Sequence, residues 1–316
     1  MTISDFDRLR MLAPRTGRVR AVLDTDTYNE IDDQFALVQA LLSPDRIALE
    51  AIYAAPFQNT RSTGPGDGMD KSYGEILRLL GRMGRTPDGF VFKGVREFVG
   101  PAKQALKAEA VEHLIARARA SSPGDPLCVI AIAAISNVAS ALIAAPDIAD
   151  KIIVVWLGGH ALEWPDTREF NLRQDVGGAQ ALLDSGAPLV LIPCMGVTSH
   201  LHSTVPEIER WVEPYGEIGK FLAARFKEYS DDHVGWSKEI WDMAPVGWLI
   251  NPDWVPTVLA PTPILTDQAT WSVDRTRPLM RYATIVKRDP ILQDFFSKLK
   301  LFADQGEIAP STGAPV

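Results

Sequence analysis

The chain has 316 residues, 46% of them hydrophobic and 23% charged, which is enough apolar material for one large α/β domain spanning residues 1–316. Its 32 basic residues against 40 acidic ones give a formal charge of -8. That balance argues against nucleic acid or an anionic membrane as a partner, since both need a basic patch, and favours a small neutral or polar ligand.

Asp5, Asp7, Arg8 and Arg10 precede any apolar run, so the start of the chain lacks the hydrophobic stretch of a secretion signal and cytoplasmic residence is expected. The first strand is read at Arg20–Leu23 and the first long helix at Gln34–Leu42. A second strand, Ile47–Tyr53, leads into a glycine-containing loop, Asn59–Ser72, and then helices at Tyr73–Met83 and Ala102–Ala120. Leu127–Ala145 carries no charge and is long enough to span a membrane, but it divides into a buried strand, Leu127–Ile132, and a helix. Ser136 and Asn137 offer N-cap chemistry ahead of that helix, Val138–Ala145, and Pro146 closes it. Strands at Ile152–Leu157 and Leu189–Pro193 follow, with helices at Val176–Ser185, Ile218–Tyr229 and Pro290–Phe302. The alternation predicts a Rossmann-like, doubly wound, mostly parallel sheet with helices on both faces. Ligands of such sheets bind beyond the carboxyl ends of the strands, where the loops Asn59–Ser72 and Ser230–Lys238 are placed to form a cover.

The chemistry concentrates at the end of the first strand. Five of the ten residues from Asp24 to Asp33 are carboxylates (Asp24, Asp26, Glu30, Asp32 and Asp33), with no Lys or Arg among them. Two unit charges about 4 Å apart repel by roughly 4 kcal/mol at an effective dielectric of 20, so the cluster calls for a cation. Helix-dipole complementation, worth about 0.3 to 1 kcal/mol per carboxylate, does not balance five of them. An EF-hand loop is ruled out by Tyr28 and Asn29 at its fifth and sixth places and Phe35 at its twelfth. A phosphate loop ending at Lys71-Ser72 fails because Asp70 and Pro65 stand where glycines are required. The segment Asp24-Thr25-Asp26-Thr27-Tyr28 approaches the haloacid-dehalogenase phosphatase motif but misses at its fifth position.

Read with its continuation, Leu23-Asp24-Thr25-Asp26 through Asp32-Asp33-Gln34-Phe35-Ala36-Leu37 resembles the signature of the nucleoside hydrolase family. Further landmarks follow in family order: Asn59 after the second strand, Ile135-Ser136-Asn137-Val138-Ala139, Trp156-Leu157-Gly158-Gly159 ahead of Glu169-Phe170-Asn171 and Asp175, and Trp241-Asp242. The resemblance covers roughly Val19 to Leu249. It implies hydrolysis of the N-glycosidic bond of ribonucleosides with bound Ca²⁺, and a homodimer or homotetramer. It assigns the metal to Asp26, Asp33, Asp242 and the backbone carbonyl of Ile132, and makes Asp26 the base for the attacking water. It assigns the ribose 2′-hydroxyl to Asp32 and Asn59, the 3′-hydroxyl to Asn171 and the 5′-hydroxyl to Glu169, with Asp24 as a support. Taken alone, Glu169, Asn171 and Asp175 read as helix caps or loop residues.

Three departures from the family pattern bear on substrate. Two extra residues lie between Asp26 and Asp32. A gapless count back from Glu169 puts Glu163 where many members have an Asn at the 5′ end of the sugar. Trp241 precedes the last aspartate where the pyrimidine-tolerant branch has a His, and the resemblance then implies stacking on the base and a purine preference. A metal- and ribose-binding protein with little catalysis and the phosphatase remain the alternatives. His113, His160, His200, His202 and His233 occupy no acid position of the family, and Cys128 and Cys194 read as buried thiols.

Overall fold

The computed structural model describes residues 3–305. Its strands are β1 (Val19–Thr25), β2 (Ile47–Ala54), β3 (Val91–Lys93), β4 (Leu127–Ala131), β5 (Ile152–Leu157), β6 (Leu189–Ile192), β7 (His202–Ser203), β8 (Lys238–Glu239), β9 (Thr257–Pro261), β10 (Ile264–Leu265), β11 (Trp271–Ser272) and β12 (Leu279–Ala283). The helices are α1 (Asp5–Leu12), α2 (Asp32–Leu41), α3 (Pro65–Arg82), α4 (Glu109–Arg119), α5 (Ser136–Ala144), α6 (Phe170–Gln174), α7 (Val176–Asp184), α8 (Val205–Trp211), α9 (Gly216–Lys227), α10 (Met243–Ile250) and α11 (Arg288–Asp304).

Eight strands form one sheet in the order β3-β2-β1-β4-β5-β6-β12-β9. All neighbours run parallel except β9, which is antiparallel to β12. The doubly wound fold expected from the strand–helix alternation is therefore the one observed. Its central strands β4, β5 and β6 are buried along their whole length, as a parallel sheet covered on both faces requires. Alternate side chains feed two cores: Leu23, Ile130 and Val155 pack with Phe35 and Phe295 on one face, and Val22, Val129 and Trp156 pack with Leu114 and Leu182 on the other. Strand order reverses between β1 and β4, so the connections leaving these two strands diverge and open a crevice above their carboxyl ends.

Several elements differ from expectation. The segment 59–72 is not all loop, because α3 starts at Pro65, eight residues before the expected Tyr73. Pro suits a first helical turn, and Gly68, which reads as loop, serves packing. A Cβ on Gly68 would stand 2.0 Å from the Phe57 carbonyl oxygen. The helix read at Ala102–Ala120 shortens to Glu109–Arg119, since Lys103 takes a left-handed φ of 49° and Ala108, at the cap position, is extended. The strand β3, the strands from β7 onward and the helices α1, α6, α8 and α10 have no counterpart in the sequence reading. Of these, β3 and β9 are the two sheet edges; β9 has no buried residue, and Pro256 and Pro261 interrupt its apolar pattern. The 230–238 segment packs on α9, with the Trp236 ring edge-on to Phe226 at 5.2 Å. No helix among the described residues is long and apolar enough to cross a membrane.

Candidate active site

The β1–α2 connection delivers the acidic cluster to the crevice. Asp24 is the penultimate residue of β1, Asp26 follows the strand, and Asp32 and Asp33 form the first turn of α2. The cap position of that helix is held by Ile31, whose side chain has no polar group to offer the first turn, so the two aspartates alone meet the positive end of the helix.

The five carboxylates have different fates. Asp24 is fully buried, with Oδ1 accepting from Asn137 Nδ2 at 2.8 Å, and burial pushes its carboxyl up to about 7. Asn137 is therefore no helix cap: its amide oxygen also accepts from Val95 N at 2.8 Å and ties β1 to the segment after β3. Glu30 pairs with Lys238 Nζ at 2.6 Å, so one anion of the cluster is balanced by a lysine remote in sequence. Asp33 accepts from Thr25 Oγ1 at 2.5 Å. Both oxygens of Asp26 are buried without a hydrogen-bond partner. A Cβ on Gly94 would stand 2.1 Å from the Ala54 carbonyl oxygen and 2.5 Å from Asn137 Nδ2. Gly94→Ala is expected to lower unfolding stability by about 3 kcal/mol, read from the urea midpoint.

Asp242, just ahead of α10, closes the cluster from the other side. One oxygen from each of Asp32, Asp33 and Asp242 lies within 4.8 Å of the others. Burial first, and repulsion from Asp33 and Asp32 second, hold the Asp26 carboxyl well above its usual range. Burial, then Asp32, Asp33 and Asp26, do the same to Asp242. Burial and the Glu30 charge push Asp32 up to about 7. Hard anionic oxygens that repel one another, with two left unpartnered, fit a divalent cation.

These groups line a cavity of about 390 Å³. Asp26, Asp32, Asp33, Ile132, Glu169, Asn171, Trp241 and Asp242 all reach its wall. Glu169 also caps α6: Oε1 accepts from Asn171 N at 2.7 Å, and Oε2 from Leu172 N at 3.0 Å and Gly159 N at 2.9 Å. Burial raises its carboxyl to about 7 against those bonds. Asn171 Nδ2 donates to the Leu157 carbonyl at 3.1 Å. Asp175 is an organiser outside the wall, accepting from Val99 N and Gly100 N at 2.9 Å, Gly178 N at 2.8 Å and Ser136 Oγ at 2.5 Å. Two expected sugar contacts do not reach the wall. Asn59 stands behind Asn29, and Glu163 is exposed, its carboxylate accepting from the Tyr282 hydroxyl at 3.3 Å.

The family model described as inosine-uridine preferring nucleoside hydrolase matches residues 21–294. The chain belongs to this nucleoside hydrolase family. It is thus an enzyme of the N-ribosyl hydrolase class, and the phosphatase alternative is set aside. Pyrimidine-specific ribonucleoside hydrolase RihA of Enterobacter sp. (strain 638) is 28% identical over 271 residues, covering 75% of this chain and 80% of that protein. An uncharacterized protein of Schizosaccharomyces pombe is 29% identical over 165 residues, 48% of this chain and 51% of that one, so the chain spans about half the length of that relative. Among solved structures, the purine-preferring ribonucleoside hydrolase from Gardnerella vaginalis has the same fold, with a TM-score of 0.69 at 21% identity over 90% of this chain and 99% of that one.

The nucleoside hydrolase cavity also holds residues to which sequence reasoning gave no role in the site: His160, Arg168, Cys194 and Met195. His160 and Cys194 follow the carboxyl ends of β5 and β6, which is the signal that could have found them. His160 Nδ1 accepts from Met195 N at 3.3 Å, and burial lowers the imidazole below its usual range. Cys194 is buried as expected, yet it borders the cavity.

Proposed function

We propose that the protein hydrolyses the N-glycosidic bond of ribonucleosides, purine nucleosides by preference, with Ca²⁺ held by Asp26, Asp33, Asp242 and the Ile132 carbonyl. The observation that carries this reading is the fully buried Asp26 carboxylate, which has no hydrogen-bond partner and shares a cavity wall with Asp32, Asp33 and Asp242. Such a group is costly unless a cation and a substrate water complete it. When bound, the ion supplies positive charge that makes water easier to deprotonate. Asp26 takes the proton of the water that attacks C1′. The C1′–N bond breaks as the sugar gains oxocarbenium character, and its electron pair leaves with the base. Asp32 accepts from the 2′-hydroxyl, Asn171 meets the 3′-hydroxyl, and Glu169 faces the 5′-hydroxyl with the lone pairs its helix-capping bonds leave.

Trp241, half-buried on the cavity wall, supports the purine preference, because a stacked base is easier to protonate as it leaves. The RihA relatives favour a second reading, pyrimidine ribosides. Trp241→Ala is expected to cut kcat/KM for inosine about thirtyfold while changing an activated aryl riboside less than about threefold, since that leaving group needs no protonation. Equal losses would show that Trp241 only packs. The whole reading is tested by reducing-sugar release from inosine, guanosine, uridine and cytidine with and without chelator. Chelator-sensitive release supports it; tight ribose binding without turnover would favour the non-catalytic binder.

A further inference from the structure

The connection that is two residues longer than the family spacing forms part of the cavity wall. Asn29 and Glu30 both line it, while Asn59 does not. The Asn59 amide is engaged behind them: Nδ2 donates to Asn29 Oδ1 at 2.7 Å, and Oδ1 accepts from Arg61 N at 2.8 Å. Asn29 itself is held firmly. Its N–H donates to the Asp26 carbonyl at 2.7 Å, and its carbonyl accepts from Arg61 Nη1 at 3.3 Å and from the Tyr229 hydroxyl at 3.4 Å. Next to it, the Glu30–Lys238 ion pair fastens the connection to β8, with the Lys238 ammonium 5.5 Å from the centre of the Tyr229 ring. Asn29 is 6% exposed, and with Oδ1 taken, its Nδ2 is the side-chain donor it has left for a group in the cavity.

We propose that Asn29 is a substrate-contacting residue that donates through Nδ2 to a hydroxyl oxygen of the ribose, and that Asn59 acts as its positioning residue. The inference rests on the riboside-hydrolase reading above. Asn59 fixes the amide orientation by donating to Oδ1, which leaves Nδ2 turned to the ligand. The extra length of the connection thus moves the sugar-reading amide from one loop to another. The contact discriminates ribosides from deoxyribosides, because a deoxy sugar leaves the buried amide donor unpaired.

The test uses the full chain with saturating Ca²⁺ and compares each riboside that the wild type cleaves with its 2′-deoxy and 3′-deoxy analogues. Asn29→Ala should lower kcat/KM for the riboside about tenfold, the loss of one neutral hydrogen bond, while changing one of the two analogues less than about twofold. Asn59→Ala should shift the same riboside-to-deoxy ratio in the wild-type background and add less than about a twofold change in the Asn29→Ala background. Asn29→Leu, which keeps the branched outline without a donor, should reproduce the Asn29→Ala ratio and guards against a loss that reflects poor folding of the smaller variant. Unchanged ratios in both Asn29 variants, or a full Asn59→Ala effect in the Asn29→Ala background, would overturn the inference while leaving riboside hydrolysis intact. A wild type that cleaves no riboside would remove the reading and this inference together.

Discussion

Asp26→Asn is expected to lower kcat for nucleoside hydrolysis about a thousandfold or more while the chain stays folded. The loss combines a base, which contributes about 10²–10⁴ in rate, with a weaker ligand for the ion. Folding should not suffer. Both carboxylate oxygens of Asp26 are buried without partners, and its charge is repelled by Asp33 and Asp32, so the neutral amide removes a cost. In chelator, the variant should therefore melt no lower than the wild type. Near-normal turnover in Asp26→Asn, or a melting temperature well below that of the chelated wild type, would show that Asp26 has a structural role instead.

Asp242→Ala should abolish the response of stability to calcium. A ligand at about a hundred times its Kd stabilises by about 2.7 kcal/mol. For a chain of this length that is about 4 °C in Tm. The wild type should show that rise when calcium replaces chelator, and Asp242→Ala should show less than about a quarter of it, with turnover down about a thousandfold. Asp242 is the group that brings the far side of the crevice to the cluster of Asp32 and Asp33, so its removal opens the set of oxygens. An undiminished calcium shift would place the ion elsewhere.

Much of this is legible in the sequence because it follows from local pattern. Uninterrupted apolar runs mark β4, β5 and β6, runs broken by the paired Arg20 and Glu50 mark β1 and β2, and the density of carboxylates after Leu23 marks the site. Asp242 joins that cluster only through the family order, since nothing in Trp241-Asp242 distinguishes it from a surface charge. What cannot be read depends on tertiary partners. Glu30 counts as part of an unbalanced cluster until Lys238, 208 residues away, is seen to pair with it. Asn137 reads as a helix cap until Asp24 and Val95 claim its amide. Asn59 carries the family position, but the longer connection inserts Asn29 between it and the cavity. Gly68 and its neighbours Gly64 and Gly66 read as a loop because the close packing of a helix against the Phe57 carbonyl, which Gly68 permits, lies outside the local sequence.

In the proposed mechanism, carboxylates from the end of β1, the start of α2 and the approach to α10 share one oxygen-bound ion that also grips a ribose. The most direct test is a crystal structure grown in calcium and soaked with ribose, with the ion identified by its anomalous signal. One ion bound by Asp26, Asp33, Asp242 and the Ile132 carbonyl is expected, with vicinal ribose hydroxyls beside it. A cavity without an ion at saturating calcium, or an ion bound by none of these carboxylates, would contradict it.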